Sequence, residues 1–404
     1  MTERLYYTDS YRTHFSSPVV ERLTWKGKPA VVLKHTAFYP ESGGQPADTG
    51  TLDGVQVLDV AVREDDGAII HVLSEPLLDA SQSQEVAASG SIDWSRRFDH
   101  MQQHTGQHIL SAAFEQILDA DTVGFHLGTD GSTVDIEIAN LEPETVIPIE
   151  ELANRVVWED RPVVTRFVSP DELATLPLRR PPVVEGPVRI IEISEFDTNP
   201  CGGTHVARTG EIGLIKVVGI ENRGDKTRVE FLCGGRALRD YRAKNSVLSE
   251  LAGNLTVGYW ELGQAVARLE AEAKQTRRDL RQARERLRDV ETRELVESAV
   301  VRDPYRVVSK VWKGREPGEI RALAKDLSRF PAVVALLAST GERTHLCFAR
   351  SEEMDLDISA WLREACAQLG GRGGGRPNIA QGSAPAADVT QVEDTLASLP
   401  IWEM

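Results

Sequence analysis

The chain of 404 residues lacks any apolar run near the roughly 20 residues that a membrane helix needs, and its first fifteen residues contain no apolar segment of signal-peptide length. It has only four cysteines, too few and too scattered for a disulfide framework in a chain of this size. We therefore expect a soluble, cytoplasmic protein whose cysteines either bind a metal or have no chemical role.

Positive charge is also scarce, because 46 basic residues stand against 62 acidic ones and give a formal net charge of −16. This balance argues against a protein that coats nucleic acid through bulk electrostatics, since phosphates need clustered cations. One local exception runs from Lys274 to Arg288, where seven basic residues stand against two acidic ones. That stretch is either a polyanion site or the solvated face of a coiled coil.

The hydrophobic pattern changes along the chain. Residues 1–94 alternate short apolar runs with turn clusters such as SGGQPADTG, which is typical of a small β-domain. The segment Ser95 to Leu118 has a helical period instead. Strand-like pieces, a helix around IPIEELANRVVWED and a hairpin joined by NRGDK then complete an α+β core over 95–235.

From residue 236 to 300 the composition is helical. A long helix carries apolar or small residues spaced alternately four and three apart, as in a coiled-coil seam; the seam consists of Leu262, Val266, Leu269, Ala273, Thr276, Leu280, Ala283, Leu287 and Val290. Three interpretations of this seam are open: the helix packs along its own domain, it forms a coiled-coil hairpin, or it makes a dimer contact. Residues 301–404 alternate strands and helices, which predicts a separate α/β domain ending in a glycine-dense loop, GGRGGGRPN.

Two pairs of metal-ligand residues have the same spacing. His104 and His108 lie four apart on the predicted helix, so that both imidazoles can reach one ion, and Cys201 and His205 repeat this spacing around two glycines. Together they predict a tetrahedral zinc site that a folded domain must assemble. The rival interpretation is a buried thiol with three hydrogen-bonded histidines.

The residues between the histidines bear on the reaction. Thr105, Gly106 and Gln107 include no glutamate, so the general base of a zinc protease is missing. A coordination position open to water would allow ester or amide hydrolysis, whereas a closed four-ligand site would be structural.

Four motifs together resemble a known family. They are SGGQPADTG (Ser42–Gly50), HTGQH (His104–His108), CGGTH (Cys201–His205) and GGRGGGRPNIAQG (Gly370–Gly382). In this order they resemble the editing and C-terminal parts of alanyl-tRNA synthetase, and the chain as a whole resembles the longer, freestanding alanyl-tRNA editing proteins called AlaX.

The resemblance implies an α+β multidomain fold. An N-terminal β-barrel would occupy 1–94, a zinc-containing editing core 95–235, a helical coiled-coil segment 236–300 and a DHH-associated α/β domain 301–404. Because no class II aminoacylation domain fits before Tyr39, we expect no tRNA charging.

The implied function is hydrolysis, in trans, of the ester of mischarged alanine tRNA, chiefly Ser-tRNA(Ala), with Gly-tRNA(Ala) as a second candidate. By resemblance, His104, His108, Cys201 and His205 hold zinc. Two alternatives are a non-catalytic tRNA-binding protein with a structural zinc and a small-molecule ester or amide hydrolase. A homodimer through the helical or C-terminal region is a further expectation.

Other assignments surround this site. Thr105 and Gln107 either contact the seryl group or ribose or face the core, and His126 stands near a position where the family has a substrate-sensing Thr or Gln. Glu41, Gly43, Gly44 and Gln45 have a structural or acceptor-stem role. The residues expected to bind tRNA are Arg372, Gly373, Gly374, Gly375 and Arg376, although a glycine-rich stretch is also typical of a flexible linker.

Overall fold

The computed structural model describes residues 2–77, 87–129, 131–176, 178 and 187–404. The chain divides into two compact units, Met1–Asn254 and Leu255–Met404. Within the described ranges, no helix is both long and apolar enough to cross a bilayer.

The first unit begins with a ring of short strands. The strands are β1 (Glu3–Arg4), β2 (His14–Trp25), β3 (Lys28–Leu33), β4 (His35–Thr36), β5 (Gly50–Leu52), β6 (Val55–Val62), β7 (Ile69–Leu73) and β8 (Ala87–Ile92). Six of them hydrogen-bond in a ring that closes on itself in the order β2–β3–β7–β6–β5–β8. The predicted short strands of this region are thereby confirmed. The interior of the ring is apolar and includes Leu33, Phe38, Leu52 and Leu73, all fully buried.

Helix α1 (Trp94–Leu118) confirms the helix predicted from Ser95 to Leu118. It begins where the Asp93 carboxylate accepts hydrogen bonds from the backbone N–H groups of Ser95 and Arg96, at 3.1 and 3.3 Å. It ends at Asp119, whose left-handed backbone closes the last turn. All of residues 103–114 are buried, so this helix is central to the unit.

A buried ion pair joins α1 to the ring. Arg97 and Asp48 are both fully buried and are bonded through Nε and Nη2 of the guanidinium. Arg97 also donates from Nη1 to the Ser10 carbonyl at 2.8 Å and from Nη2 to the Ala37 carbonyl at 2.6 Å. The guanidinium therefore fixes the start of α1 against three separate segments of the ring region.

Two antiparallel sheets complete the unit. Its remaining elements are β9 (Thr122–Leu127), β10 (Ser132–Ile136), α2 (Pro143–Trp158), β11 (Val163–Val168), α3 (Pro170–Leu173), β12 (Val188–Ile193), β13 (Asp197–Pro200), β14 (Ile215–Arg223), β15 (Lys226–Cys233) and α4 (Gly234–Leu255). One sheet has the order β14–β15–β10–β9 and the other β11–β12–β13. Strands β14 and β15 pair directly, which confirms the hairpin predicted around NRGDK.

The second unit is an α/β layer structure. Its elements are α5 (Leu262–Glu297), β16 (Val300–Arg302), β17 (Tyr305–Lys313), α6 (Pro317–Leu327), β18 (Val333–Thr340), β19 (Arg343–Arg350), α7 (Ile358–Gln368), β20 (Arg372–Arg376), β21 (Ile379–Pro385) and α8 (Val389–Ala397). The sheet order is β16–β17–β18–β19–β21–β20. All of β18 is buried because alternate residues pack on opposite faces, Leu336 with α7 and Leu337 with α6.

The prediction of a glycine-dense loop over residues 370–378 is wrong for its centre. Residues 372–376 form the edge strand β20, paired with β21. The reason is packing: a Cβ on Gly373 would lie 2.9 Å from both the Cys366 sulfur and Leu362 Cδ2 on α7. The glycines therefore let an edge strand lie close to a helix.

The long helix predicted around the heptad seam is confirmed as α5. Its seam residues are strongly exposed, with 48% of Leu269, 52% of Leu280 and 71% of Leu287 accessible. The described residues of its own domain therefore leave most of this seam uncovered.

Candidate metal centre

Two elements of the first unit bring four potential ligands together. Helix α1 supplies His104 and His108, and the segment after β13 supplies Cys201 and His205. One ligand atom from each lies within 4.8 Å of all the others. The distances from Cys201 Sγ to His104 Nε2 and His205 Nε2 are 3.5 and 3.3 Å. Ligand atoms of a tetrahedral zinc site, with bonds of about 2.0–2.3 Å, lie at comparable separations. This arrangement can hold a metal ion.

The side chain of Gln45 determines which nitrogen of His104 faces the cluster. The backbone N–H of Thr204 donates to Gln45 Oε1 at 3.2 Å, and Gln45 Nε2 donates to Thr204 Oγ1 at 2.8 Å. Gln45 Oε1 is therefore the acceptor for His104 Nδ1, 2.8 Å away. Because Nδ1 carries the proton, the lone pair of Nε2 is free for a metal.

The other two histidines are held through Nδ1 as well. His108 Nδ1 lies 3.2 Å from the Asp197 carboxylate, which accepts a hydrogen bond from the Nδ1–H group. His205 Nδ1 lies 3.1 Å from Thr105 Oγ1, which also accepts the backbone N–H of Val206 at 3.2 Å. All three imidazoles thus bond to protein groups through Nδ1, as ligating histidines generally do.

The charge state of Cys201 suits metal binding. Burial raises the pKa of its thiol, but electrostatic interaction with the neighbouring imidazoles of His104 and His205 holds the pKa well below its ordinary value. The thiolate is the form of cysteine that ligates metals.

Close packing explains one glycine of the CGGTH motif. A Cβ on Gly203 would lie 2.1 Å from His104 Cε1 and 3.0 Å from Gln45 Oε1. The residue must therefore be glycine for Gln45 to reach His104. On another side of the imidazole, the Phe125 ring stacks on His104 with centroids 5.3 Å apart.

Gln45 is one of the partners of this site that the sequence did not predict, because it was expected to have only a structural or acceptor-stem role. It ends the turn Ser42–Gln45, in which Ser42 and Gln45 exchange two backbone hydrogen bonds around Gly43 and Gly44, both with positive φ. The Gly-Gly pair signals a tight turn. An amide 59 positions before a histidine carries no signal that the two will meet.

The three predicted catalytic residues have different surroundings. Thr105 lies behind His205, as described above. Gln107 is buried and donates to Ser111 Oγ at 2.8 Å. The structure does not bring His126 to the cluster: it is exposed on β9, and strand alternation directs it away from the face on which Phe125 stacks against His104.

Two family models match parts of the chain: the second additional domain of threonyl and alanyl tRNA synthetases over residues 188–230, and the DHHA1 domain over residues 304–399. The chain is 30% identical to the alanyl-tRNA editing protein AlaX-L of Pyrococcus horikoshii, in a match that covers 96% of this chain and 95% of that protein. The chain belongs to the AlaX-L family.

Other relatives of this AlaX-L family member are longer. The alanine–tRNA ligase of Pyrococcus abyssi is 30% identical over 98% of this chain, and that of Pyrococcus furiosus is 32% identical over 94%. The chain spans only 43% and 42% of these two ligases. The solved C-Ala domain of Aquifex aeolicus alanyl-tRNA synthetase is 30% identical over 23% of this chain and 88% of that domain, with a TM-score of 0.22.

In this AlaX-L family member, the residues predicted to bind tRNA lie in the second unit. Arg372 lines a surface cavity of about 420 Å³ together with Arg321. Arg376, Gly374 and Gly375 line another of about 410 Å³, which Arg321 also borders. Within the described part of the chain, none of the three arginines forms an ion pair within 4.0 Å. Their charge is therefore open to an anionic ligand.

Proposed function

We propose that this protein is a zinc-dependent aminoacyl-tRNA deacylase that hydrolyses the ester of mischarged alanine tRNA in trans, chiefly Ser-tRNA(Ala), with Gly-tRNA(Ala) as a second candidate. The observation that carries the proposal is the convergence of three imidazoles and a thiol in a member of the AlaX-L family. The reaction answers a physical need, since a pocket that accepts alanine discriminates only about a hundredfold against an analogue that merely adds a hydroxyl.

Each residue of the site has a defined task. His104, His108, Cys201 and His205 would hold zinc, which when bound supplies a Lewis acid able to polarise an ester carbonyl or to acidify a water. Gln45 keeps the proton of His104 on Nδ1. Asp197 does the same for His108, while Thr105 orients His205. We therefore assign Thr105 a positioning role.

Gln107 also belongs to this positioning network. It donates to Ser111, whose hydroxyl accepts from Thr122 Oγ1 at 2.7 Å, so that α1 and β9 are joined beside the ligand helix. His126 has no task in this scheme because its side chain points elsewhere.

The domain division follows from the same proposal. We infer that the closed strand ring is the N-terminal β-barrel domain, 1–94, and that 95–235 is the editing domain. The segment 236–300 would be a helical connection, and 301–404 the DHH-associated domain. Arg372, Arg376 and the backbone of Gly373, Gly374 and Gly375 would contact tRNA phosphates, because the described residues that line their cavities include arginines and no acidic side chain.

We further infer that two copies pair in parallel through α5. The exposed seam continues over four heptads, and residues on its flanks have opposite charges at the positions that meet in a parallel coiled coil. The complementary residues of the two copies are Glu272 with Arg277, Asp279 with Arg284, and Arg286 with Glu291. Glu291 also bonds Arg315 of its own chain at 2.5 Å.

The dimer is tested by light scattering of the full chain and a Leu280→Glu variant. The wild type should have twice the mass of one chain, which is 44.5 kDa, and the variant should have the mass of a single chain. As a matched pair, Glu272→Arg should weaken the dimer and Glu272→Arg with Arg277→Glu should restore it. A wild type that stays monomeric at micromolar concentration contradicts the pairing.

The deacylase is tested by hydrolysis of Ser-tRNA(Ala) and Ala-tRNA(Ala), with zinc content determined on the same sample. We expect one zinc per chain, rapid loss of serine and sparing of alanine. A His104→Ala variant should lose both metal and activity. Removing zinc from the wild type with a chelator and adding it back gives the same comparison without a substitution.

Two other outcomes would replace the proposal. Stoichiometric zinc without cleavage of either ester would make the protein a tRNA-binding scaffold with a structural metal. Cleavage of free serine esters at the same rate as of the tRNA ester would make it a small-molecule hydrolase.

A further inference from the structure

A row of three residues crosses the sheet β11–β12–β13 and ends at Cys201, one of the four potential metal ligands. Phe167 on β11 stands directly opposite Arg189 on β12. Arg189 in turn accepts, through its carbonyl, the backbone N–H of Cys201 at 3.1 Å, which continues the pairing of β12 with β13. Directly paired residues project from the same face, and neighbouring strands are about 4.8 Å apart. Phe167 is therefore two strands away from Cys201, on its side of the sheet.

Arg189 holds the middle of this row and has a donor to spare. Its side chain is 6% exposed and donates from Nη1 to the Cys201 carbonyl at 2.6 Å and from Nε to the Tyr7 carbonyl at 3.1 Å. Nη2 is buried and has no hydrogen-bond partner within the described ranges. A buried N–H without an acceptor is destabilising, so this donor favours a ligand that brings an oxygen.

Beside Arg189, aromatic and cationic side chains form a shelf, defined here as Phe167, Tyr7 and Arg4. The Phe167 and Tyr7 ring centroids are 6.2 Å apart. Arg4 donates to the Tyr7 hydroxyl at 2.6 Å, and its guanidinium lies 5.3 Å from the centre of the Tyr7 ring. Phe167 is 50% exposed, so one aromatic surface of the shelf is open.

This chemistry suits the end of an RNA strand. Unpaired nucleotides are bound by stacking on aromatic rings and guanidinium planes, and cations attract their phosphates. In an aminoacyl-tRNA the ester is on the ribose of the 3′-terminal nucleotide. When the ester lies at the four potential metal ligands, the base of that nucleotide must lie one ribose away from them. The row from Cys201 through Arg189 to Phe167 places the shelf at that position.

We propose that the shelf binds the base of the 3′-terminal nucleotide and that Arg189 Nη2 donates to a ribose or phosphate oxygen of that nucleotide. This inference rests on the proposed deacylation and names how its substrate is held. Phe167 provides the stacking surface. Arg4, which is bonded to the Tyr7 hydroxyl, provides a positive charge at the edge of that surface.

The test measures binding of an uncharged acceptor-stem hairpin that ends in CCA, compared with one that ends in CC. Wild-type protein should bind the CCA end about 10-fold more tightly, in the range that alanine substitution gives for a stacking aromatic. Phe167→Ala should remove this preference without weakening binding of the CC end, and Phe167→Trp should restore it. Trp158→Ala is the matched control, because Trp158 is an exposed aromatic of the same unit that is not part of the shelf.

The results separate the shelf from the proposed function. Loss of the CCA preference in Phe167→Ala establishes the shelf even if Ser-tRNA(Ala) is not hydrolysed by the wild type. Equal binding of both ends by the wild type, or equal weakening of both by Phe167→Ala, overturns the shelf even if hydrolysis is rapid. With an active wild type, Phe167→Ala should raise KM about 10-fold and change kcat little.

Discussion

Gln45 Oε1 and His104 Nδ1 are 2.8 Å apart although the two residues come from different parts of the fold, a turn of the strand ring and the ligand helix α1. The ring is therefore part of the candidate metal site. Because the N–H of Thr204 fixes the orientation of the Gln45 amide, the same contact ties the ring to the segment carrying Cys201 and His205.

Replacing Gln45 should weaken metal binding without removing a ligand. Gln45→Met lacks the acceptor for His104 Nδ1, so the imidazole can take the wrong tautomer, and zinc affinity should fall by about 10- to 100-fold. Competition with a chromophoric chelator measures this. Gln45→Glu is the matched control, because it keeps an oxygen acceptor for His104 Nδ1–H and for the backbone N–H of Thr204. This variant should bind zinc within a few-fold of the wild type. Equal affinity in the Met variant would contradict the assigned role of Gln45.

The sequence could predict the four potential ligands because each belongs to a residue type that binds metals and the spacing within each pair is local. It could not predict Gln45, Asp197 or Thr105 as their partners, since those contacts depend on how α1, the ring and β13 pack. Likewise, strand alternation decides that Phe125 rather than His126 faces His104, and that alternation is visible only once the register of β9 is known.

The sequence also predicted that strands and helices alternate in the second unit, where apolar periodicity is strong. It failed at β20, because glycine is disfavoured in strands and its use here depends on a helix, α7, that passes unusually close.

The buried pair of Arg97 and Asp48 should be important for stability. Removing only the cation leaves a buried carboxylate without its partner, so Arg97→Met should lower the free energy of unfolding by about 3–5 kcal/mol. Urea titration measures the change. In the double variant Arg97→Met with Asp48→Leu the loss should be smaller than in Arg97→Met, because no buried charge remains. A loss under about 1 kcal/mol in the single variant would show that the pair is solvated.

His71 should make the protein sensitive to mild acid. His71 lies inside the closed ring of strands, and its burial there lowers its pKa to about 4. The neutral imidazole donates a hydrogen bond from Nδ1 to the Val31 carbonyl and accepts one from the Thr36 hydroxyl. The unfolded chain takes up the proton below about pH 6.5. Stability is therefore fully present above that pH and is lost as the pH falls from 6.5 towards 4.

The expected loss attributable to His71 is about 2 kcal/mol between pH 7.5 and 5. Urea unfolding of the wild type and of His71→Gln at pH 7.5 and at pH 5 measures this loss. Because the variant lacks the titrating imidazole, its free energy of unfolding should fall by about 2 kcal/mol less than that of the wild type. His14→Gln, at an exposed position, should follow the wild type. Parallel pH dependence of the wild type and His71→Gln would exclude His71 as the cause.

Two neighbouring glycines of β20 allow a matched test of why this strand is glycine-rich. A Cβ on Gly373 would meet the Cys366 sulfur and Leu362 Cδ2 at 2.9 Å, whereas a Cβ on Gly374 would have no atom of the described residues within 4 Å. Gly373→Ala should therefore overpack the contact with α7 and lower the free energy of unfolding by about 1–3 kcal/mol. Gly374→Ala adds the same methyl group in open space and should change stability little. If both variants unfold at the same urea concentration, β20 needs glycine for flexibility or ligand contact rather than for packing, and tRNA binding by the two variants would then decide between those roles.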